Sequence, residues 1–201
     1  MKVRLLAAMV VALSGTAARA ADPRYPDWPC TQAKVPEISL AAVWAGPPLD
    51  DVQNKWKDDA KISALVAKLS ARKTPLDEAE KSVKEFLASS ADKTANAKLL
   101  FAGLFDTLNA QRFQVMNGLE RVSRKQREAA DKIREETLQL HALQGATPRD
   151  EAKVEALGNE LIWKTRIFED RNKVVRFVCE VPTAIDQRLF ALGRVIQQEM
   201  E

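Results

Sequence analysis

The residues of this chain with most chemistry to offer are two cysteines, Cys30 and Cys179, set far apart in the sequence. Thiols in an oxidising compartment pair, and with two in the chain a Cys30–Cys179 disulfide is the expected product. Redox catalysis is the alternative, but catalytic pairs sit close together as C-x-x-C with one thiol exposed at a helix start. Cys179 falls inside an apolar helical pattern instead, so a structural clamp is expected. His141 is the single histidine, too few for a zinc or copper site of ordinary composition. The chain has no D-x-D-x-D-G calcium loop, no glycine-rich phosphate loop and no G-x-S-x-G elbow. Paired carboxylates such as Glu135-Glu136 and Glu169-Asp170 fall on helix faces expected to meet water, which argues against acid–base catalysis by them. The expectation is therefore a protein that is not an enzyme and takes no cofactor and no metal.

Two further groups invite a binding role. Arg112, Lys164 and Arg171 occupy positions of an otherwise apolar heptad seam, where a polar residue fixes register and partner number. The sharper alternative is a polar pocket for an anionic ligand, with Glu120, Glu169 and Asp170 near enough to neutralise these cations. Tyr25, Trp28 and Trp44 lie in a proline-rich segment; burial against helices is one expectation, binding a partner, a glycan or a lipid the other.

The elements that must position these residues begin with residues 1–20. A basic start (Lys2, Arg4), an apolar run from Leu5 to Leu13 and Ala18-Arg19-Ala20 read as a signal peptide cleaved between Ala20 and Ala21. That run is shorter than the roughly 20 residues of a spanning helix, so no transmembrane segment is expected in the mature chain. Lys2, Arg4 and Arg19 account for the whole formal charge of +3. The remainder is balanced, which removes the charge argument for a nucleic-acid partner.

Residues 21–48 carry Pro23, Pro26, Pro29, Pro36, Pro47 and Pro48, which forbid a long helix and predict a strap lying on one. Residues 49–201 have the Ala, Leu, Lys, Glu, Gln and Arg content of helices. Their periodicity predicts helices over about 49–71, 75–90, 93–143 and 148–199, with Thr74 and Thr147 as N-caps and a kink or break near Pro182. Val154, Leu161, Phe168, Val175, Pro182, Leu189 and Ile196 recur every seven residues, matching a seam that runs from Phe101 to Leu143. Two seams joined by Gln144-Gly145-Ala146-Thr147-Pro148 must fold back on each other to bury their stripes. The predicted class is all-α: a long antiparallel, coiled-coil-like helical hairpin with two shorter helices and the N-terminal strap. Its register pairs Val122 with Arg171 and Ala129 with Lys164. A dimeric four-helix stalk would bury the same seams.

Pro26-Asp27-Trp28-Pro29-Cys30, Val35-Pro36, Val43-Trp44-Ala45-Gly46-Pro47 and Cys179-Glu180-Val181-Pro182 look like a signature of small exported proteobacterial proteins. That resemblance implies a Gram-negative periplasm and brings no activity with it. The functional expectation is a periplasmic interaction or scaffold protein that engages another envelope protein or a second copy through its hairpin. A small-ligand or metal-ion sensor and a holdase chaperone are the alternatives.

Overall fold

A computed structural model describes residues 22–200; the expected signal segment and its cleavage site at Ala20 and Ala21 lie outside them. The described residues are helical, without a strand. In chain order they form α1 (Leu40–Val43), a 3-10 turn (Lys55–Lys57), α2 (Ala60–Ser70), α3 (Leu76–Ala88), α4 (Lys93–Gly145), α5 (Glu151–Val178) and α6 (Glu180–Met200).

The hairpin is the spine. Its 53-residue α4 is about 80 Å long at 1.5 Å per residue and runs antiparallel to α5 and α6. Gln126 confirms the predicted register: its Nε2 donates to the Phe168 carbonyl at 3.0 Å and to Asn172 Oδ1 at 2.9 Å, midway between the two expected pairings. Asp92 begins α4 and Asp150 begins α5, each accepting a backbone N–H of the first turn.

The base holds the core. Leu100, Phe101, Leu104 and Leu108 of α4 meet Leu189, Leu192 and Ile196 of α6, with Ile62, Val66 and Leu69 of α2 and Val83 and Leu87 of α3 around them. Gly103 and Gly193 permit the closest approaches. A Cβ on Gly193 would sit 2.7 Å from the Val43 carbonyl oxygen and 2.8 Å from the Phe101 ring. Away from the base burial thins: in α5 only Val154 and Leu161 are buried, which leaves the distal hairpin a stalk.

Several boundaries differ from expectation. The first long helix starts at Ala60, not near Leu49. Asn54 takes a left-handed conformation, φ 63°, which ends any helix before it, and Asp59 caps the new start by accepting from the amides of Lys61 and Ile62. Thr74 does not cap α3; its hydroxyl donates to the Lys68 carbonyl at 2.9 Å. Thr147 does not cap α5, because Asp150 does. The irregularity expected near Pro182 is an interruption between two helices. α5 ends at Val178, Cys179 keeps right-handed helical angles, and α6 begins at Glu180. Proline lacks the N–H that would have bonded the Val178 carbonyl, and the interruption falls at the cysteine one turn earlier.

Candidate functional site

The disulfide is present: Cys30 and Cys179 are bonded with Cα atoms 5.6 Å apart across a separation of 149 residues. It joins the strap to the α5–α6 junction, and Gln32 Nε2 donates to the Cys179 carbonyl beside it. From there the strap runs along one side of α4. Asp27 pairs with Arg124 and Arg127, and Lys34 pairs with Glu120 at 2.6 Å. The two guanidinium groups hold the Asp27 carboxyl below its usual range, with hydrogen bonding to Arg124 first and to Arg127 second.

The residues expected to bind something separate into three places. Trp44 is in the core: it stacks on Phe101 at 4.3 Å between ring centroids and donates Nε1 to the Pro47 carbonyl at 2.8 Å. Trp28 and Tyr25 lie half-buried in the strap, Trp28 donating Nε1 to Gln32 at 2.7 Å and Tyr25 stacked under Lys34 Nζ at 4.6 Å. These three aromatics are spread along the strap and do not converge on one pocket.

Arg112 is buried, 4% exposed, and ties strap to base. It donates Nη1 to the Pro36 carbonyl at 3.2 Å, and its Nε lies 2.7 Å from Asp186 Oδ1. Although close, that contact lacks hydrogen-bond directionality, since neither atom finds a well-aligned partner; charge attraction is its main content. Burial raises the Asp186 pKa, and the Arg112 charge opposes the shift. The expected neutralisers are therefore corrected. Glu120 serves Lys34, Asp170 serves Lys173 at 3.0 Å, and Asp186, four residues past Pro182, serves Arg112. Lys164 is held by Glu136 at 2.5 Å and Glu160 at 2.6 Å, and these two carboxylates raise its pKa.

Arg171 forms no ion pair among the described residues, and it lines an open groove. This groove between α4 and α5, about 680 Å³, is lined by Val115, Gly118, Val122, Val174 and Val178, with Arg121 and Lys125 at its edge. A second hollow of about 250 Å³ continues it toward the tip past Ala129, Lys132, Ile133 and Ile167. The strap is on the opposite side. Glu120, Arg124 and Arg127 meet the strap while Gly118, Val122 and Lys125 line the groove, two residues apart in each case. Two residues turn a helix by about 200°.

Beside the groove α5 exposes the apolar side chains Trp163, Ile167, Val174 and Phe177, with Trp163 64% and Phe177 78% exposed, while Ile162, also exposed, lies on the far side of the helix. No family model, curated protein or solved structure matches this chain. The site therefore rests on its own residues. Sequence reasoning placed Arg171 and Lys164 correctly in the stalk but missed the groove and the exposed side chains beside it. The signal was the apolar remainder: Ile162, Trp163, Ile167, Val174 and Phe177 are the large apolar residues of α5 that its heptad seam leaves unused.

Among the described residues no helix is long and apolar enough to cross a membrane, and no cluster of His, Cys, Asp or Glu is placed to hold a metal ion. The disulfide fits an oxidising compartment.

Proposed function

We propose that this chain is a non-enzymatic interaction protein of the Gram-negative periplasm, in which a disulfide-clamped helical base holds out a hairpin stalk that docks another envelope protein. The observation that carries this reading is the exposure of Trp163, Ile167, Val174 and Phe177 beside an open groove. Large apolar side chains left in water along one side of a helix favour burial by a partner, and aromatic anchors dominate such contacts. The disulfide, which persists in oxidising compartments, and the resemblance of the strap residues to those of small exported proteobacterial proteins support the compartment.

Photo-crosslinking residues placed singly at Trp163 and Phe177, and as a control at the exposed Phe190 of the base, test the reading in cells. A discrete protein adduct from the two stalk positions and none from Phe190 is expected. No adduct, or the same adducts from all three, refutes it.

A small-ligand sensor is the second reading, favoured by the groove's volume of about 680 Å³, which lies in the range of drug-sized sites. Thermal shift against anions, fatty acids and metal ions tests it; a flat response removes it.

A further inference from the structure

Resting on the docking reading above, we infer that the groove is the vacant position of a three-helix bundle and that its occupant is a partner's amphipathic helix with acidic flanks. The walls have the spacing that a packed helix requires. Two sets of lining residues carry the argument, Val115, Gly118, Val122, Lys125, Ala129 and Lys132 on α4 and Lys164, Ile167, Arg171, Val174 and Val178 on α5, and the lining also includes Leu119, Arg121, Gln126, Ile133, Phe168 and Val175. Both sets advance by alternate steps of three and four, the repeat by which one helix offers a straight seam to another. Val115, Val122 and Ala129 of α4 and Lys164, Arg171 and Val178 of α5 belong to the seam by which the two helices already meet, and Gly118, Lys125 and Lys132 with Ile167 and Val174 widen that seam toward the same open side. From Val115 to Ile133 the groove is about 27 Å long, the length of five helical turns.

Charge decides which helix fits. Arg121, Lys125, Lys132 and Arg171 line or edge the groove, and none forms an ion pair with any described residue. Lys164 is the exception, answered by Glu136 and Glu160 at the distal end. Flanking charges on packed helices set partner choice, and here they ask for carboxylates. A second copy of this chain offers mixed charge rather than a run of carboxylates: beside the apolar side chains of α5 stand Arg166 and Lys173, with Asp170 between them paired to Lys173 at 3.0 Å. A bilayer surface is also attracted to cations, but it is flat, and this site is concave with its apolar floor between two walls.

The protein from Ala21 onward, with its disulfide formed, is titrated with fluorescent three-heptad peptides carrying apolar a and d positions and either Glu or Lys at e and g. Two variants accompany it. Gly118→Phe obstructs the groove where an added Cβ meets only Arg121 Nη2 at 4.0 Å, and Lys125→Glu/Arg171→Glu reverses the walls at two positions that make no ion pair. The Glu peptide is expected to bind at 1:1 and at least tenfold more tightly than the Lys peptide. Gly118→Phe should weaken it tenfold or more, and the double reversal should exchange the preference between peptides.

Equal affinity for both peptides, or a Glu-peptide affinity that neither variant changes, overturns the inference. So does a dimer in sedimentation that Gly118→Phe dissolves, which would make a second copy the occupant. Binding to phosphatidylglycerol vesicles that the Glu peptide does not compete for would assign the surface to lipid, and also overturns it. A cross-linked adduct at Trp163 together with no peptide preference would leave the docking reading standing and this inference refuted.

Discussion

Reducing the Cys30–Cys179 bond is expected to lower stability without changing the folded structure. The bond closes a loop spanning 149 residues, nearly the whole described chain, so its effect falls on the unfolded ensemble. For a loop of that size the chain-entropy relation gives about 17 cal/mol/K, or about 5 kcal/mol at 25 °C, and measured losses run at roughly 2–5 kcal/mol. In the folded state the strap has other holds: the Trp44–Phe101 stack, the Lys34–Glu120 pair and Arg112 on the Pro36 carbonyl. Native far-UV circular dichroism in water should accordingly survive reduction. The assay is equilibrium urea unfolding with and without reductant, followed by helix signal and tryptophan fluorescence, with Cys30→Ala/Cys179→Ala as the permanent counterpart. The midpoint should fall, and the slope should rise because a reduced unfolded chain exposes more surface. A loss below about 1 kcal/mol would refute the loop argument. Collapse of the helix signal in water would refute the claim that the strap is held independently.

Gly193→Ala should destabilise by about 1–3 kcal/mol because the new Cβ meets backbone and ring. Gly158→Ala, with nothing within 4 Å, should stabilise by up to about 1 kcal/mol; thermal unfolding of the pair checks both signs. Arg112→Met should cost about 1–3 kcal/mol, discounted from a fully buried pair because Asp186 is partly exposed. It leaves the Asp186 pKa raised further. A raised carboxyl pKa destabilises the folded state above that pKa, and the cost fades as pH falls toward the unfolded value, so the gap to the parent protein should narrow in acid. Urea unfolding at neutral and acid pH reads the gap; a gap that widens in acid contradicts this. For Asp27 the sign is opposite. Its folded pKa is lowered, so its anchoring of the strap is present above the unfolded value of roughly 3.9 and lost as pH falls through the lower folded one. A carboxyl-carbon NMR titration should place its midpoint below that value, and Arg124→Gln should move it upward; a midpoint that does not respond removes the ion-pair explanation.

Much of the architecture was legible along the chain because it rests on period and covalent chemistry. The seven-residue recurrence from Val154 to Ile196 and the Gln144–Pro148 stop are local patterns, and two apolar stripes joined by a short turn have one way to be buried together. The pairing of Cys30 with Cys179 followed from their number and the expected compartment. Helix starts were less legible. Asn54 in a left-handed turn and Asp59 as a cap each outweighed the apolar pattern that ran through them, since one backbone reversal ends a helix whatever its periodicity.

The sequence alone determined the helical class, the hairpin, its register and the disulfide, all of which follow from spacing, turn chemistry and thiol count. Tertiary structure alone decided which polar and aromatic residues were internal. Arg112 needed Asp186 and the Pro36 carbonyl, and Trp44 needed Phe101, partners far off in the chain that no local pattern connects. It also decided which side of the stalk stayed open. The strap can cover only one side of α4, and the side it takes depends on where the disulfide ties it and on where Asp27 finds Arg124 and Arg127. The other side keeps its valines and cations facing water, because the chain has no further segment among its described residues to lay over them.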